Sequence, residues 1–299
     1  MALGVTEIGN LLDSARSGNR RSLARLLTAI ESGQDPGSQL RAGWTLGVTG
    51  PPGVGKSTLI GRMIEHWTSK GESVAVLAVD PTSPMTGGAI LADRLRMGST
   101  DSTDSVFVRS LATRNHPGGL MPCLGKMTRA LSACGWSRVI IETVGSGQSE
   151  IRVVAFADRV LLIDGPDRGD IIQAEKAGIL ELADVIAINK ADLPNAQTAA
   201  DAVREAMGAG KPQSIKVHLV SAIEGAGVSE LVSDLDSCEP RSSRNTLRIR
   251  ERLIASWDST LLSHPEIESY LGKIGDGSIT VDEAIRDIVY SLVEGGGEP

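Results

Sequence analysis

The chain has 299 residues, of which 41% are hydrophobic, which is enough for one large domain with a substantial buried core. Its formal net charge is -7, and only 3% of its residues are aromatic. The acidic balance argues against broad electrostatic binding to nucleic acid, and the low aromatic content argues against stacking on single strands. We therefore expect no nucleic-acid partner.

Three cysteines, Cys123, Cys134 and Cys238, lie far apart in the sequence. Their odd number and the lack of a Cys-x-x-Cys pair favour a reducing compartment and no structural zinc. No basic N-terminal region precedes an apolar run, and no apolar stretch approaches the length needed to cross a bilayer. The sequence predicts a cytoplasmic protein with no membrane partner.

The first 40 residues have a helical pattern. Leu23, Leu26, Leu27 and Ile30 recur at the spacing that places side chains on one face of a helix. We assign residues 1–40 to an N-terminal helical extension.

From Trp44 the pattern changes to short apolar runs that alternate with helical segments, which is typical of a parallel sheet with crossover helices. The predicted strands are residues 44–49, 73–80, 106–110, 138–143, 159–164, 184–189 and 216–221. In an open α/β sheet, the loops at the carboxyl ends of such strands build the ligand site. The predicted fold class is α/β, with a mostly parallel central sheet flanked by helices over residues 41–240.

Beyond Pro240 the predicted strands stop and the pattern is helical. Two apolar stripes follow, one of Leu253, Ile254, Trp257, Leu261 and Leu262 and one of Ile285, Ile288, Val289 and Leu292. Thr280 and Glu283 form a capping box at the start of the last helix. Helices of this kind need a surface for their apolar stripes, either their own core or a second subunit. We assign residues 241–299 to a C-terminal helical region.

The strongest motif follows the first predicted strand. Residues 50–57, the phosphate loop, read G-P-P-G-V-G-K-S and satisfy the G-x-x-x-x-G-K-S spacing between a strand and a helix. Glycines allow backbone N–H groups to point at phosphate oxygens, Lys56 balances the β- and γ-phosphate charges, and the Ser57 hydroxyl ligates magnesium. The motif predicts a P-loop NTPase. Its predicted nucleotide-binding residues are Gly50, Pro51, Pro52, Gly53, Val54, Gly55, Lys56, Ser57 and Thr58.

The purine is predicted from the end of the sixth strand, where residues 189–192 read N-K-A-D and match N-K-x-D. The Asp192 carboxylate can accept two N–H groups from the guanine edge, whereas adenine offers no matching pair of donors. We expect Lys190 to lie along the base and Asn189 to tie this N-K-x-D loop to the phosphate loop. Ser221 and Ala222, after the next strand, are the second predicted base contact. GTP and GDP are therefore the predicted ligands.

Acidic residues at further strand ends are candidates for magnesium and for the nucleotide switch. Carboxylates there can hold Mg²⁺ directly or through its waters. The predicted metal residues are Ser57, Asp80, Asp93 and Glu142. Gly145 is predicted to offer its N–H to the γ-phosphate, so the predicted catalytic residues are Lys56, Asp93, Glu142 and Gly145. For Asp93, a solvated helix position remains the alternative.

Four groups of residues together resemble the MeaB/ArgK/MMAA group of P-loop GTPases. They are residues 47–59, 79–84 with 87–94, 109–114 with 118–120, and 142–145 with 147–150, in the order and spacing of that group across roughly residues 40 to 240. The resemblance implies a homodimeric GTPase that loads, protects and repairs an adenosylcobalamin-dependent acyl-CoA mutase. It also implies that Asp80, Asp93 and Glu142 are the magnesium and switch acids, and that residues 241–299 are a dimerisation arm.

The resemblance further places a switch loop that signals to the mutase after the fifth strand. Asp170, Gln173 and Lys176 match that loop, but Pro166-Asp167-Arg168 replace a Gly-rich stretch and Ser146 stands where valine is usual. These departures leave the predicted hydrolysis unchanged and weaken any assignment of the mutase. A surface charge cluster is the alternative for this loop.

Cobalamin itself is not expected to bind this chain. Residues 114–119 read R-N-H-P-G-G, which lacks the aspartate of the D-x-H-x-x-G signature of cobalamin carriers. His116 is therefore interpreted as a loop residue and not as a cobalt ligand.

Hydrolysis is expected to be slow without a partner, because no residue stands out as a water-positioning glutamine or arginine finger and Gln148 is only a weak candidate. Two alternative functions remain, a GTPase that inserts metal into another enzyme and a transport-system kinase. The first would need a Cys or His cluster near the switch, where only Cys123 and His116 are near each other, and the second would need a base for a substrate hydroxyl.

Overall fold

The computed structural model of this chain describes residues 4–37, 40, 43–80, 104–112, 123–143, 155–166, 183–207, 215–239, 242–262 and 264–294. Within these ranges, none of the helices combines the length and the apolar character that a membrane span requires.

A seven-stranded sheet forms the centre of the described part of the chain. Its strands are β1 (Trp44–Thr49), β2 (Val74–Asp80), β3 (Val106–Ala112), β4 (Arg138–Thr143), β5 (Arg159–Asp164), β6 (Val185–Ile188) and β7 (Lys216–Leu219). They lie in the order β3-β2-β4-β1-β5-β6-β7, and every neighbouring pair is parallel. The predicted α/β class is confirmed, and the described strands are wholly parallel where a mostly parallel sheet was expected.

Helices flank this sheet and extend it at both ends of the chain. Those in the described ranges are α1 (Val5–Arg16), α2 (Arg20–Glu31), α3 (Lys56–Ser69), α4 (Leu124–Ala133), α5 (Ala196–Ala206), α6 (Val228–Ser237), α7 (Ser242–Leu262), α8 (Ile267–Gly275) and α9 (Val281–Glu294). The predicted capping box is present at α9, where Thr280 N donates to Glu283 Oε2 at 2.8 Å and Glu283 N donates to Thr280 Oγ1 at 3.3 Å.

The core has two main layers because side chains along a strand alternate between the two faces of the sheet. In β2, Val74 and Val76 pack on the face that carries α3 and α6, whereas Ala75, Leu77 and Val79 pack on the face that carries α1, α2 and α4. A third cluster joins α5 to β5 and β6. Strands buried on both faces must be nearly continuous apolar runs, which is why the sequence pattern is so clear here.

The N-terminal helices share the second of these layers. The α2 stripe of Leu23, Leu26, Leu27 and Ile30 is buried there, as the helical spacing predicts. Polar contacts also join α2 to β3, one of the two edge strands among those that the structure describes. Arg109 Nη2 lies 2.6 Å from Glu31 Oε2, and the Arg20 guanidinium donates to the carbonyl oxygens of Asp104 and Val106. The helices therefore pack on the sheet beside its β3 edge.

The C-terminal helices begin with a buried anchor. Arg248 Nη2 on α7 lies 2.5 Å from Asp184 Oδ2, next to the start of β6, and the two side chains are 3% and 0% exposed. Arg252 Nε, one turn further along α7, donates to the Ala155 carbonyl oxygen at 2.6 Å. Away from this anchor, large apolar side chains of the three helices are exposed, among them Leu253, Trp257, Leu271, Val281, Ile285, Tyr290 and Val293.

Candidate functional site

The carboxyl ends of the central strands carry most of the predicted site residues. Because β1 lies between β4 and β5, the phosphate loop after β1 is flanked by the ends of both strands. The loop then enters α3 at Lys56. A single edge of the sheet thus brings together residues that lie far apart in the sequence, as expected for an open parallel sheet.

Two glycines of the phosphate loop are required by its close contacts. Gly50 has φ of 150°, and a Cβ atom there would lie 2.0 Å from the Ile163 carbonyl oxygen on β5. Gly55 has φ of 89°, and a Cβ atom there would lie 2.5 Å from Asn189 Nδ2. Only glycine fits these positions without displacing a neighbour or straining the backbone.

The Lys56 ammonium lies within the curve of the phosphate loop. Its Nζ donates to the Gly50 carbonyl oxygen at 2.7 Å and to the Pro51 carbonyl oxygen at 3.0 Å, and the residue is only 7% exposed. A buried ammonium held by backbone oxygens is a strong local positive charge. The loop is therefore suited to bind an anion such as a phosphate group.

The Ser57 hydroxyl meets the predicted switch acid. Ser57 Oγ donates to Glu142 Oε1 at 2.7 Å, and Glu142 is 7% exposed. The contact follows from the sheet register, in which Val48 on β1 pairs with Glu142 on β4. Hydroxyl and carboxylate oxygens are the ligands that Mg²⁺ prefers, and these two lie close enough together to fit that ion.

Asn189 connects the phosphate loop to both predicted base contacts. Its Nδ2 donates to the Val54 carbonyl oxygen at 2.8 Å, and its Oδ1 accepts from Ala222 N at 3.0 Å. The expectation that Asn189 ties the N-K-x-D loop to the phosphate loop agrees with this geometry. Asn189 is 3% exposed, so these buried amide groups would be costly to leave unpaired.

The other residues that are predicted to contact the purine base lie beside Asn189. Asp192 is exposed, and its Oδ1 accepts from Ser221 Oγ at 2.7 Å. Lys190 has φ of 62°, the one positive value among the non-glycine residues that the structure describes. Residues 221–226, the Ser221 loop, are closed by a hydrogen bond from Ser221 N to the Ala226 carbonyl oxygen at 3.0 Å. The Ser221 hydroxyl thus holds the exposed Asp192 carboxylate beside the Ser221 loop.

Several predicted residues cannot be compared with the structure. The backbone of Asp80 ends β2, at the same edge of the sheet as the phosphate loop, and its side chain is outside the described part. The predicted catalytic residues Asp93 and Gly145 lie outside the described residues, as do the predicted signalling residues Asp170, Gln173 and Lys176. The roles of all of these residues stay predictions.

Two residues at the site were not predicted. Asp164 ends β5 and is 2% exposed, and its backbone carbonyl oxygen accepts from Asn189 N at 2.8 Å. A carboxylate at the end of a buried strand was the available signal for it. Arg62 on α3 donates to the backbone of the Ser221 loop. Nothing in its local sequence distinguishes it from any exposed arginine of a helix.

The Cys123 thiol, which was considered as a metal ligand for the metal-inserting alternative, has a pKa that is unfavourable for that role. Burial, and next the charge of Glu31, raise the pKa of the Cys123 thiol to about 12. Because the thiolate is the metal ligand, a thiol with such a pKa binds metal poorly near neutral pH. Among the side chains that can be placed, no group of three His, Cys, Asp or Glu residues could hold a metal ion. His116 lies outside the described residues.

Comparison with a solved structure supports the fold. A crystal structure of a LAO/AO transport system kinase matches with a TM-score of 0.61 and 21% sequence identity, and the match covers 98% of this chain and 99% of that one. At this identity the likeness concerns the fold alone. It agrees with the P-loop NTPase fold that the phosphate loop predicts.

Comparison with sequences identifies relatives and a family. A putative GTPase of Pyrococcus abyssi is 42% identical over 193 residues, which are 62% of this chain and 60% of that protein, so less than two thirds of that relative is matched. A fused isobutyryl-CoA mutase of Cupriavidus metallidurans is 38% identical over 200 residues, which are 63% of this chain and 18% of that protein. The model of the family described as methylmalonyl-CoA mutase-associated GTPase MeaB matches residues 10–257. Since that match spans the phosphate loop, both base loops and most of the chain, the protein belongs to the MeaB family.

Proposed function

We propose that this chain binds guanine nucleotides at the phosphate loop and hydrolyses GTP to GDP and phosphate. The observation that carries the proposal is the Asn189 side chain, which bonds to the phosphate loop at Val54 and to the Ser221 loop at Ala222. One residue thus couples the loop that would hold the phosphates to the loops that would hold the base. Membership of a family described as GTPases supports the same activity.

The phosphate loop supplies the positive charge for this reaction. On binding, the Lys56 ammonium would exchange its two carbonyl partners for β- and γ-phosphate oxygens, and the loop N–H groups would donate to the same phosphates. A water oxygen then attacks the γ-phosphorus, and the bond to the β–γ bridging oxygen breaks. Lys56 and the loop N–H groups stabilise the charge that develops. Gly145 is proposed to donate its N–H to the γ-phosphate.

Magnesium is the proposed ion partner of the nucleotide. Ser57 Oγ and the Glu142 carboxylate would hold it, with Asp80 and Asp93 as further acids. When bound, Mg²⁺ neutralises charge on the β- and γ-phosphates.

Asp192 is the proposed base-selecting residue. Its exposed carboxylate accepts one hydrogen bond from Ser221 and has further lone pairs for the two N–H groups of guanine. Adenine would leave a charged acceptor without these donors, which costs binding free energy. The chain should therefore prefer guanine nucleotides.

The proposed biological partner is an adenosylcobalamin-dependent acyl-CoA mutase, which this chain would assist as a chaperone in cofactor loading, protection and repair. The family description and the matching segment within a fused isobutyryl-CoA mutase support this partner. Asp170, Gln173 and Lys176 are the proposed signalling residues, and the mutase is proposed to accelerate a slow intrinsic hydrolysis. We further propose a homodimer formed through residues 241–299, with the exposed apolar side chains of α7, α8 and α9 as its support.

Calorimetric titration tests nucleotide binding. Wild-type protein should bind GDP and a non-hydrolysable GTP analogue and discriminate against ATP, and Lys56→Ala should weaken binding roughly a hundredfold through loss of the charged donor. Lys70→Ala, at the exposed far end of the same helix, is the matched control and should bind as wild type does. Equal affinity for ATP and GTP, or unchanged binding by Lys56→Ala, would contradict the proposal.

Hydrolysis and partner binding need separate measurements. The purified chain should turn GTP over slowly, and rates of tens per second without a partner would contradict this expectation. Methylmalonyl-CoA, isobutyryl-CoA, 2-hydroxyisobutyryl-CoA and ethylmalonyl-CoA mutases are all compatible with the sequence. In pull-down experiments with GDP or the GTP analogue present, the chain should retain one of these mutases. Addition of that mutase should raise the rate of GTP hydrolysis.

A further inference from the structure

Arg62 connects the helix that follows the phosphate loop to the Ser221 loop. It lies in α3, and its guanidinium reaches two consecutive carbonyl oxygens of that loop. Arg62 Nε donates to the Ala222 oxygen at 2.9 Å, and Nη2 donates to the Ile223 oxygen at 2.8 Å. The planar fork of an arginine presents such donors in a fixed arrangement, so it fixes the direction of both carbonyl groups.

The backbone segment held by Arg62 is the one that meets the Asn189 side chain. Ala222 N donates to Asn189 Oδ1 at 3.0 Å, while the carbonyl oxygen of the same residue accepts from Arg62. Ala222 is 3% exposed, whereas its neighbour Ile223 is 73% exposed. Ile223 therefore adds few apolar contacts to the loop, whereas Ala222 packs in the core, and the hydrogen bonds of the loop backbone act together with that packing.

The other contact of Arg62 does not account for this arrangement. Arg62 Nη1 lies 3.1 Å from Glu65 Oε2 on the same helix, with side chains that are 41% and 53% exposed. An ion pair of this kind between exposed side chains contributes little to stability. The bonds from Nε and Nη2 instead join elements that are 160 residues apart in the sequence.

We propose that Arg62 is a positioning residue for purine selection. It holds the Ser221 loop against α3, so that Ala222 and the Asp192 carboxylate, bonded to Ser221, keep the arrangement that receives guanine. This role rests on the proposed binding of guanine nucleotides. It extends that proposal, because it makes base selection depend on a helix whose first residues hold the phosphates.

Binding measurements on the full chain test this role. Dissociation constants for GDP, ADP and pyrophosphate are measured for wild type, Arg62→Ala, Arg62→Lys and Glu65→Ala, with pyrophosphate determined by competition against a fluorescent GDP. Arg62→Ala should raise the GDP constant roughly tenfold, because two hydrogen bonds from a charged donor are lost. The pyrophosphate constant should change by less than about twofold, because the bonds that are lost go to the Ser221 loop and not to the phosphate loop. Selectivity for GDP over ADP should fall.

Two variants serve as controls. Glu65→Ala removes the ion pair and keeps both carbonyl contacts, so its GDP constant should stay within about twofold of wild type. Arg62→Lys should recover part of the GDP affinity, because one ammonium can reach one carbonyl oxygen but cannot form the fork. If Arg62→Ala fails to fold, Arg62→Lys must still show the selective loss of GDP affinity.

Three results would overturn the role of Arg62: wild-type GDP affinity in Arg62→Ala, an equal loss for GDP and pyrophosphate, or an equal loss in Glu65→Ala. Equal affinity of the wild-type protein for GDP and ADP would have a different meaning. It would overturn the proposed guanine specificity itself, and with it the role of Arg62, before any variant is compared.

Discussion

Asn189 Nδ2 donates to the backbone carbonyl oxygen of Val54 at 2.8 Å, and this bond joins the end of the sixth strand to the phosphate loop. The two residues are 135 positions apart in the sequence, yet the bond is buried. Because it is shielded from water, its loss would leave both an amide and a carbonyl group without a partner. Both the affinity for nucleotide and the stability of the phosphate loop should therefore depend on this hydrogen bond.

Replacement of Asn189 by alanine tests this dependence. The variant loses the bonds to Val54 and Ala222, and we expect a cost of about 1–3 kcal/mol, which is roughly a tenfold to hundredfold loss of GDP affinity. Calorimetric titration with GDP gives the measurement. Asn195→Ala is the matched control, because Asn195 is exposed and its side chain makes no capping bond to α5. Equal GDP affinity in the two variants would show that the Asn189 contacts do not matter.

Replacement of Gly55 by alanine tests the close packing of the phosphate loop. The added Cβ atom would meet Asn189 Nδ2 at 2.5 Å, and a side chain at φ of 89° is strained. We expect a loss of about 1–3 kcal/mol in stability, from backbone strain, and nucleotide affinity reduced more than in Asn189→Ala. Gly61→Ala on α3 is the control. A Cβ atom there meets nothing within 4 Å, so this variant should be as stable as wild type or gain about 0.5–1 kcal/mol. Thermal unfolding with and without GDP separates the two effects.

The buried pair of Arg248 and Asp184 should dominate the attachment of the C-terminal helices. Asp184→Ala leaves a guanidinium buried without its carboxylate, and we expect a loss of about 3–5 kcal/mol in the free energy of unfolding in urea. Asp201→Ala removes the partner of Arg204 from an ion pair whose side chains are 61% and 44% exposed, and should cost less than about 1 kcal/mol. Equal costs for the two variants would contradict the assigned importance of the buried pair.

The proposed homodimer can be tested on α7. Leu253 and Trp257 are 69% and 47% exposed and lie one turn apart. Replacing both with glutamate should convert a dimer into a monomer, because charged groups would have to be buried in the interface. Light scattering coupled to size-exclusion chromatography measures the mass. Arg250→Ala, an exposed position of the same helix, should stay dimeric. A wild-type chain that is monomeric at micromolar concentration would contradict the proposal.

Local pattern was sufficient to predict the strands and the bounds of three of them, but not the ends of every strand or the order of the strands in the sheet. The predicted bounds of β1, β4 and β5 agree with the structure, because these central strands are continuous apolar runs. By contrast, β3 was predicted to end at Ser110 and extends to Ala112, where pairing with Val79 and Asp80 of β2 continues the ladder. The order of the strands depends on contacts between distant segments, and the periodicity of the sequence does not predict such contacts.

For the site, motif spacing predicted the residues whose chemistry is general and missed those that act through long-range contact. The phosphate loop and Asn189 were predicted because their roles require particular residue types at fixed spacing. Arg62 and the Arg248–Asp184 pair depend on which elements the fold places side by side. An arginine on a helix has the same local pattern whether it points to solvent or to a loop 160 residues away.

The position of the N-terminal helices has a consequence for any shortened form of the protein. Among the described strands, β3 has a neighbour on one side only, and Arg20 donates to the carbonyl oxygens of Asp104, just before β3, and of Val106, its first residue. A chain cut to begin at β1 would bare these carbonyls together with the apolar surface under Leu26 and Leu27. Uncovered strand edges recruit strands from other molecules, so such a fragment should precipitate or polymerise even with every nucleotide-binding residue intact.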